Sequence, residues 1–512
     1  MYIMYFSVLF RKPFKLNKTN DSVFSVFSFK TIILLYITFL LTLSVNASEP
    51  EVTFYDINQT VDKRVSSFPS AFIEYRNKVY FSATDVVHGR ELWAYDGSNN
   101  EAQLVVDISS GLDDSIVHLY ENEMGETEFA KFNMVVYQDK LYFPATDGIN
   151  GVELWSYDAS TNISSLVIDI NIGEGSSAPE SLVVYQDKLY FMATDAEYGK
   201  ELRAYDFATN KVSLVADINL NDGKQSTFVQ EAIVYKGNLY FIFSTDSYGN
   251  NRQVWQLNGN NNQLFPVEQI NSSASNVFNI AIYNDQLFFS GDISSNETRL
   301  FAYNADDNSM RSLVEIDSNA RSFIVYKDQL YFVYYWDFLL WRYDDRTNTL
   351  DKFSGREFFP CSEENGCYPH TLFVYRDNLI MNGPGSLVEF NSSNNSFIVK
   401  DNVPLGPSSL FSQYQDKLIV RTSTYDHGYE LGVYDGQKGE MILDLDIHQA
   451  PNGSTPFYID QNLTIYNDDL YFVADDGIHG EELWVYEKAK NDSRLVKNIN
   501  TTAGSGNIRN ST

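Results

Sequence analysis

Carboxylates are the reactive groups this chain holds in excess, with 68 Asp and Glu against 37 Lys and Arg and a formal net charge of −31 at pH 7. One set, Asp113, Asp114, Glu121, Glu123, Glu126 and Glu128, crowds into residues 111–131 beside Tyr120. Such a patch attracts a cationic partner and repels phosphate backbones, so no nucleic acid is expected to bind. A second set, Asp85, Asp147, Asp195, Asp246, Asp426 and Asp476, recurs at one place in successive turns. Carboxylate oxygens are the ligands Ca²⁺ takes, yet no segment has the dense DxDxDG spacing of a calcium loop. An Asp that opens a turn bonds its own backbone. No cofactor is therefore expected, with Ca²⁺ as the alternative. His88, His427 and His479 each precede a turn glycine, but Asn150 and Tyr198 fill the same slot, which marks a turn position rather than a metal cluster. No GxSxG, HExxH, P-loop or CxxC pattern is present. A glycoside hydrolase or lyase would need only two carboxylates about 5–10 Å apart in a pocket, and nothing in the sequence selects the pair. No catalytic residue is assigned, and the balance favours binding over catalysis.

Positioning these groups requires elements, and the elements repeat. Tyr-x-[Asp/Asn/Gly]-x-hydrophobic begins a strand pair at Tyr75, Tyr137, Tyr185, Tyr235, Tyr283, Tyr326, Tyr375, Tyr414 and Tyr466. The separations of 62, 48, 50, 48, 43, 49, 39 and 52 residues centre on the length of a four-stranded propeller blade. In the third unit SLVVY, KLYFMAT, ELRAYD and SLVADI (181–185, 188–194, 201–206, 213–218) are short, β-branched or aromatic, and separated by Asp, Asn and Gly turns. A lone sheet of this kind leaves both apolar faces wet, so the units must stack radially. The fold predicted is all-β: one β-propeller of four-stranded antiparallel blades over residues 48–500, with a tail at 501–512. Nine repeats predict eight or nine blades. One of the strand-like segments Val52–Asn58 and Arg494–Asn500 is surplus, and a split ring over Tyr283–Tyr414 is the alternative. Trp93, Trp155, Trp255, Trp341 and Trp484, with alternating tyrosines, are read as blade-to-blade packing rather than a sugar-stacking ladder.

Three segments carry the resemblance to a known repeat. DVVHGRELWAYDG (85–97), DGINGVELWSYD (147–158) and DGIHGEELWVYE (476–487) resemble the ELWxxDGT repeat, and LVVDI, LVIDI and LVADI resemble its LVKDINPG half. Arg203, Phe301, Val388 and Gly432 stand where that repeat has Trp. The resemblance is to secreted or cell-surface proteins grouped with hyalin-like repeats. It implies a β-propeller and a role in extracellular binding or adhesion.

The compartment follows from the N-terminal end. Thr31–Val45 is an uncharged apolar run of about fifteen residues after Lys30, short for a membrane span and suited to a secretory signal cleaved after Ala47. An uncleaved signal anchor is the alternative and the one route to the membrane. Residues 1–47 hold five bases and one acid, so their removal takes the net charge from −31 to −35. Cys361 and Cys367 bracket SEENG and are expected to pair as a local disulfide. Glycosylation acceptors of the N-x-[ST] type stand at Asn58, Asn162, Asn271, Asn296, Asn391, Asn394, Asn452, Asn462, Asn491, Asn500 and Asn510.

The functional expectation is a secreted or surface-displayed module whose long-loop face engages a glycan or a protein, the latter cationic in view of the charge. The binding candidates are Asp113, Asp114, Tyr120, Glu121, Glu123, Glu126, Glu128 and Phe457, the last in the connection 447–459. A propeller hydrolase and a structural coat component are the alternatives.

Overall fold

The computed structural model describes residues 66–116, 119–121, 127–129, 133–218, 227–244, 251–294, 297–316, 320–334, 339–354, 372–382, 386–400, 412–424, 428–436, 439–441, 463–476, 478–490 and 492–500. The chain divides into two compact units, and the described residues all belong to the one that takes in residues 63–512. That unit is a β-propeller of nine four-stranded antiparallel blades. Blade 1 runs through Ser70–Tyr75, Lys78–Asp85, Gly89–Asp96 and Glu101–Val106, its strands a to d, each hydrogen-bonded to the next. Blades 2 to 9 repeat the order over 135–168, 180–216, 228–266, 275–316, 320–354, 372–400, 412–441 and 463–497. Blade 9 ends on Asp492–Lys497, which is its own strand d, so the blade needs no strand from elsewhere. Val52–Asn58 lies outside the described residues. Strand d of blade 3 is Lys211–Ala216, two residues earlier than the sequence predicts, because Asn210 takes a positive φ of 52° and closes the c–d turn at once.

Nine blades close because nine interfaces are alike. One buried apolar cluster fills each gap between neighbours, including the gap between blades 9 and 1, where Val79, Phe81 and Trp93 meet Tyr466, Tyr471 and Leu483. Alternation along the strands sets this up. In blade 2 Leu141, Phe143, Trp155 and Tyr157 face blade 1, while Tyr142 and Leu154 face blade 3. All five c-strand tryptophans predicted to pack between blades are buried, and each belongs to such a cluster.

The repeat's anchor tyrosine makes a second ring. Its hydroxyl donates to the backbone carbonyl of the a–b turn in the next blade: Tyr75 to Asp139 at 2.7 Å, Tyr235 to Asp285 at 2.7 Å, Tyr283 to Asp328 at 2.9 Å, and so to Tyr414 on Asp468 at 2.6 Å. Tyr466 donates to Asn77 at 2.5 Å and joins blade 9 to blade 1 across 389 residues of sequence. The accepting residue is the third of the neighbour's own Tyr-x-[Asp/Asn/Gly]. It is Asp, Asn or Gly because the turn needs positive φ at both central residues, as at Arg76 (47°) and Asn77 (60°). The region Tyr283–Tyr414, where the repeat is faint, forms blades 5 to 8 with the same bonds, and the ring is not split there.

First strands of neighbouring blades run side by side, and side chains stitch them together. Asn133 Nδ2 donates to the Leu182 carbonyl at 3.1 Å, and Ser322 Oγ accepts from the Leu372 amide at 2.8 Å. Strand a is therefore innermost and strand d outermost. The a–b and c–d turns share one face, the turn face, and the b–c turns and d–a connections share the other, the loop face.

Candidate binding surface

The loop face is built on the recurring Asp turns, and their carboxylates are already occupied. Asp85 Oδ1 accepts from the amides of Val87 (2.8 Å) and His88 (2.6 Å), and its Oδ2 meets His88 Nδ1 at 2.8 Å. Asp476 does the same with Ile478 and His479. Asp147 holds the amides of Ile149 and Asn150 with one oxygen and Asn150 Nδ2 with the other, so Asn replaces His without changing the turn. Asp195 caps Glu197 and Tyr198, and its other oxygen pairs with Arg203, which explains the Arg in a Trp position. Burial opposes ionisation of Asp85, but the hydrogen bonds from His88 and Val87 outweigh it and hold the carboxyl below its ordinary pKa. The bond to Asp85 raises the pKa of His88 against a small burial penalty. Asp246, Asp426 and His427 lie outside the described residues.

With Asp and His or Asn fixing the turn, and Gly89, Gly151 and Gly480 supplying positive φ, the residue at the tip has no part in folding. In blades 9, 1 and 2, which are adjacent in the ring, it is aliphatic and exposed: Ile478 43%, Val87 56% and Ile149 70%. The neighbouring d–a connections add Leu112 at 68% and Ile172 at 88%. Asp107, Asp113 and Glu174 are exposed among them. The blade 3 turn has Glu197 at the tip. One sector of the loop face therefore presents five large aliphatic side chains and exposed carboxylates together.

The predicted acidic insert divides. Asp114 is a structural cap, since its Oδ1 accepts from the Arg90 amide at 2.7 Å, although it is exposed like Asp113 beside it. The connection touches the b–c turn: a Cβ on Gly89 would lie 2.8 Å from the Leu112 carbonyl. The insert also contains an unforeseen hairpin, Leu119–Glu121 paired with Thr127–Phe129, with Tyr120 opposite Glu128 and Glu121 opposite Thr127. Glu123, Glu126, Phe457, Cys361 and Cys367 lie outside the described residues, as do the acceptors Asn58, Asn296, Asn452, Asn462, Asn491 and Asn510.

A set that sequence reasoning passed over holds the loop face together. The Glu of each ELW-like strand is buried. Glu91 accepts from the amides of Ile108 (3.2 Å) and Ser109 (3.5 Å) and from the Ser115 hydroxyl. Glu153 takes Ile170, Asn171 and Ser177, Glu201 takes Ile218 and Thr227, and Glu482 takes Ile499, Asn500 and Ser67. Each carboxylate ties the start of its d–a connection to a residue that precedes the first strand of the following blade, and at Glu482 that tie closes the ring. Burial pushes Glu91 and Glu482 up to about 7 despite these hydrogen bonds, and raises Glu153 as well. A carboxyl titrating there suits a general acid, but each of these belongs to a different blade and is engaged by its own loop. The signal in the sequence was the Glu itself with a Ser or Thr about 25 residues later, as in Glu91 with Ser115 and Glu153 with Ser177.

No family model matches the chain, and no curated protein matches it. Among solved structures it is similar to dipeptidyl peptidase 4 of Porphyromonas gingivalis, with a TM-score of 0.45 and 10% identity over 82% of this chain and 67% of that one. The extracellular domain of a hybrid two-component system from B. thetaiotaomicron aligns with a TM-score of 0.29 and 11% identity over 85% of this chain and 66% of that one. A puromycin-hydrolyzing peptidase of Mycobacterium tuberculosis gives a TM-score of 0.37 and 9% identity over 70% and 59%. Among the described residues no helix is long and apolar enough to cross a membrane.

Proposed function

We propose that this chain is an exported binding module that engages a basic protein through the loop-face sector of blades 9, 1 and 2. The observation that carries the reading is the exposed aliphatic at the turn tip of three consecutive blades, where the turn itself makes no demand for one. Desolvating such side chains drives association, and the exposed acids around them select a cationic rim. Aliphatic tips favour a protein over a glycan, because sugar faces stack on aromatic rings. The net charge of −31 and the apolar leader segment support the same reading, as does the resemblance to ELWxxDGT repeats.

The test is an array of extracellular proteins and glycans probed with the purified chain at low and high salt, with Ca²⁺ and with a chelator. The reading expects basic proteins as hits, with affinity falling as salt rises. Glycan-only hits, or a blank array, would overturn it.

A further inference from the structure

Two serines on outermost strands have no task in the fold. At the d-strand position opposite the c-strand tyrosine or its substitute, six blades place Ala102, Val212, Leu264, Met310, Leu350 and Phe397, each packed into an inter-blade cluster. Blade 2 places Ser164 opposite Tyr157, and blade 9 places Ser493 opposite Tyr486. Both hydroxyls are buried and neither makes a hydrogen bond to the protein. Desolvating a hydroxyl for no partner is a cost without return, and the seven other blades avoid it, blade 8 with Gly439 opposite Tyr434. What the two serines share is the third place of an acceptor triplet, Asn162-Ile163-Ser164 and Asn491-Asp492-Ser493, and none of the six apolar blades has a triplet ending there.

The Asn of the triplet, by contrast, is required by the turn. Asn162 sits at a φ of 57°, and its Oδ1 accepts from the Tyr157 hydroxyl at 2.8 Å. Asn100, Asn210, Asn308 and Asn348 do the same in their own blades. A glycan is attached through Nδ2, which leaves Oδ1 to keep that bond. Asn162 is exposed, and it lines a groove of about 170 Å³ between blades 1 and 2 whose wall includes Lys78, Asp96, Asn99, Glu101 and Gln103, donors and acceptors suited to sugar hydroxyls. Two other acceptors would lose native hydrogen bonds to a glycan, so a chain modified there before folding would not reach the closed ring. Asn271 spends Nδ2 on the Val254 carbonyl at 3.0 Å and Oδ1 on the Val254 amide at 2.9 Å. Asn500 is buried and donates Nδ2 to the Ser66 carbonyl at 2.9 Å in the ring closure.

We propose that Asn162 carries an N-linked glycan lying along the groove between blades 1 and 2 on the turn face, and that Asn271 and Asn500 carry none. In the transfer, Nδ2 bonds to the anomeric carbon of a lipid-pyrophosphate-linked oligosaccharide, the lipid pyrophosphate departs, and Nδ2 loses one proton. Ser164 is used in that step, before strand d buries it. The glycan then covers the face opposite the loop-face sector and leaves that sector bare. The inference rests on the export proposed above, and its test is arranged to be independent of the chain's own leader.

Residues 48–512 contain all nine blade interfaces and are expressed behind a heterologous secretion leader in a eukaryotic cell, with site occupancy read by peptide mass after amidase release. Asn162 is expected to be occupied and Asn271 and Asn500 bare. Ser164→Ala should abolish occupancy at Asn162. The same variant, made without glycosylation in a bacterial cytoplasm, should melt at the wild-type temperature or higher. Bare Asn162 in the secreted protein, failure to secrete, a glycan on Asn271 or Asn500, or a lower Tm for Ser164→Ala would each overturn the proposal. Whether the full chain is exported by residues 1–47 is scored separately, and its failure would count against export alone.

Discussion

Raising the pH from 5 to 8 should destabilise this protein, and the buried glutamates set the size of the effect. Glu91 and Glu482 titrate near 7 in the folded state against 4.5 ordinarily, because burial penalises their charged form. A carboxyl whose folded pKa is raised binds its proton more tightly in the native state. Its contribution is fully present below about 4.5 and is lost as the pH rises through about 7. Moving each carboxyl from 4.5 to about 7 corresponds to roughly 3 kcal/mol per group. Glu153 and His88 are shifted upward too, so both act in the same direction. The caps Asp85 and Asp147 are shifted downward, so their contribution is lost only as the pH falls through their lowered folded pKa values. Stability should therefore peak between about pH 4 and 4.5. Urea titrations at pH 5, 6, 7 and 8 should show the midpoint falling across the series, steepest between about pH 5 and 6.5 and levelling off above about 7. Glu91→Gln removes one titrating group and should flatten the slope by about one group's share. A midpoint that is constant or rises from pH 5 to 8, or an unchanged slope in Glu91→Gln, would refute the reasoning.

Three further outcomes follow from the geometry. Tyr466→Phe removes the hydroxyl that joins blade 9 to blade 1 and should cost about 1 kcal/mol, with faster amide exchange confined to those two blades; uniform loss across the ring would contradict the local role. Gly480→Ala places a Cβ 2.8 Å from the Ser66 amide at a φ of 77°, and should destabilise by more than about 1 kcal/mol in a urea titration; a neutral result would contradict the close packing of the closure. Because Asp85, Asp147, Asp195 and Asp476 are occupied by their own turns, adding Ca²⁺ or a chelator should leave Tm unchanged; a rise of several degrees with Ca²⁺ would show that these carboxylates serve a metal.

Much of the fold was legible because the repeat is a set of local rules. Tyr185-Gln186-Asp187-Lys188-Leu189 carries a strand end, a two-residue turn and the next strand in five letters, and each letter has a physical task. Closure was not legible. It depends on Tyr466 meeting Asn77 and on Ser66 and Ser67 meeting Glu481 and Glu482, contacts more than 380 residues apart that leave no mark in local spacing. The buried glutamates were visible as letters of a motif but not as loop anchors, since their partners come from the amides of Ile108 or Ile170, and every residue type but proline offers an amide. The binding surface was sought among acidic insert residues, where charge is readable. The aliphatic tips were missed because the Val of Asp85-Val86-Val87-His88-Gly89 reads as ordinary turn filling until its exposure is known.

The measurement that bears most directly on the central claim is the affinity of the chain for its array-identified protein partner when Val87, Ile149 and Ile478 are all changed to Ser. These side chains have no part in the turns, so the variant should keep its Tm while binding at least tenfold more weakly. Wild-type affinity in a folded triple variant would contradict the assignment of the loop-face sector as the binding surface.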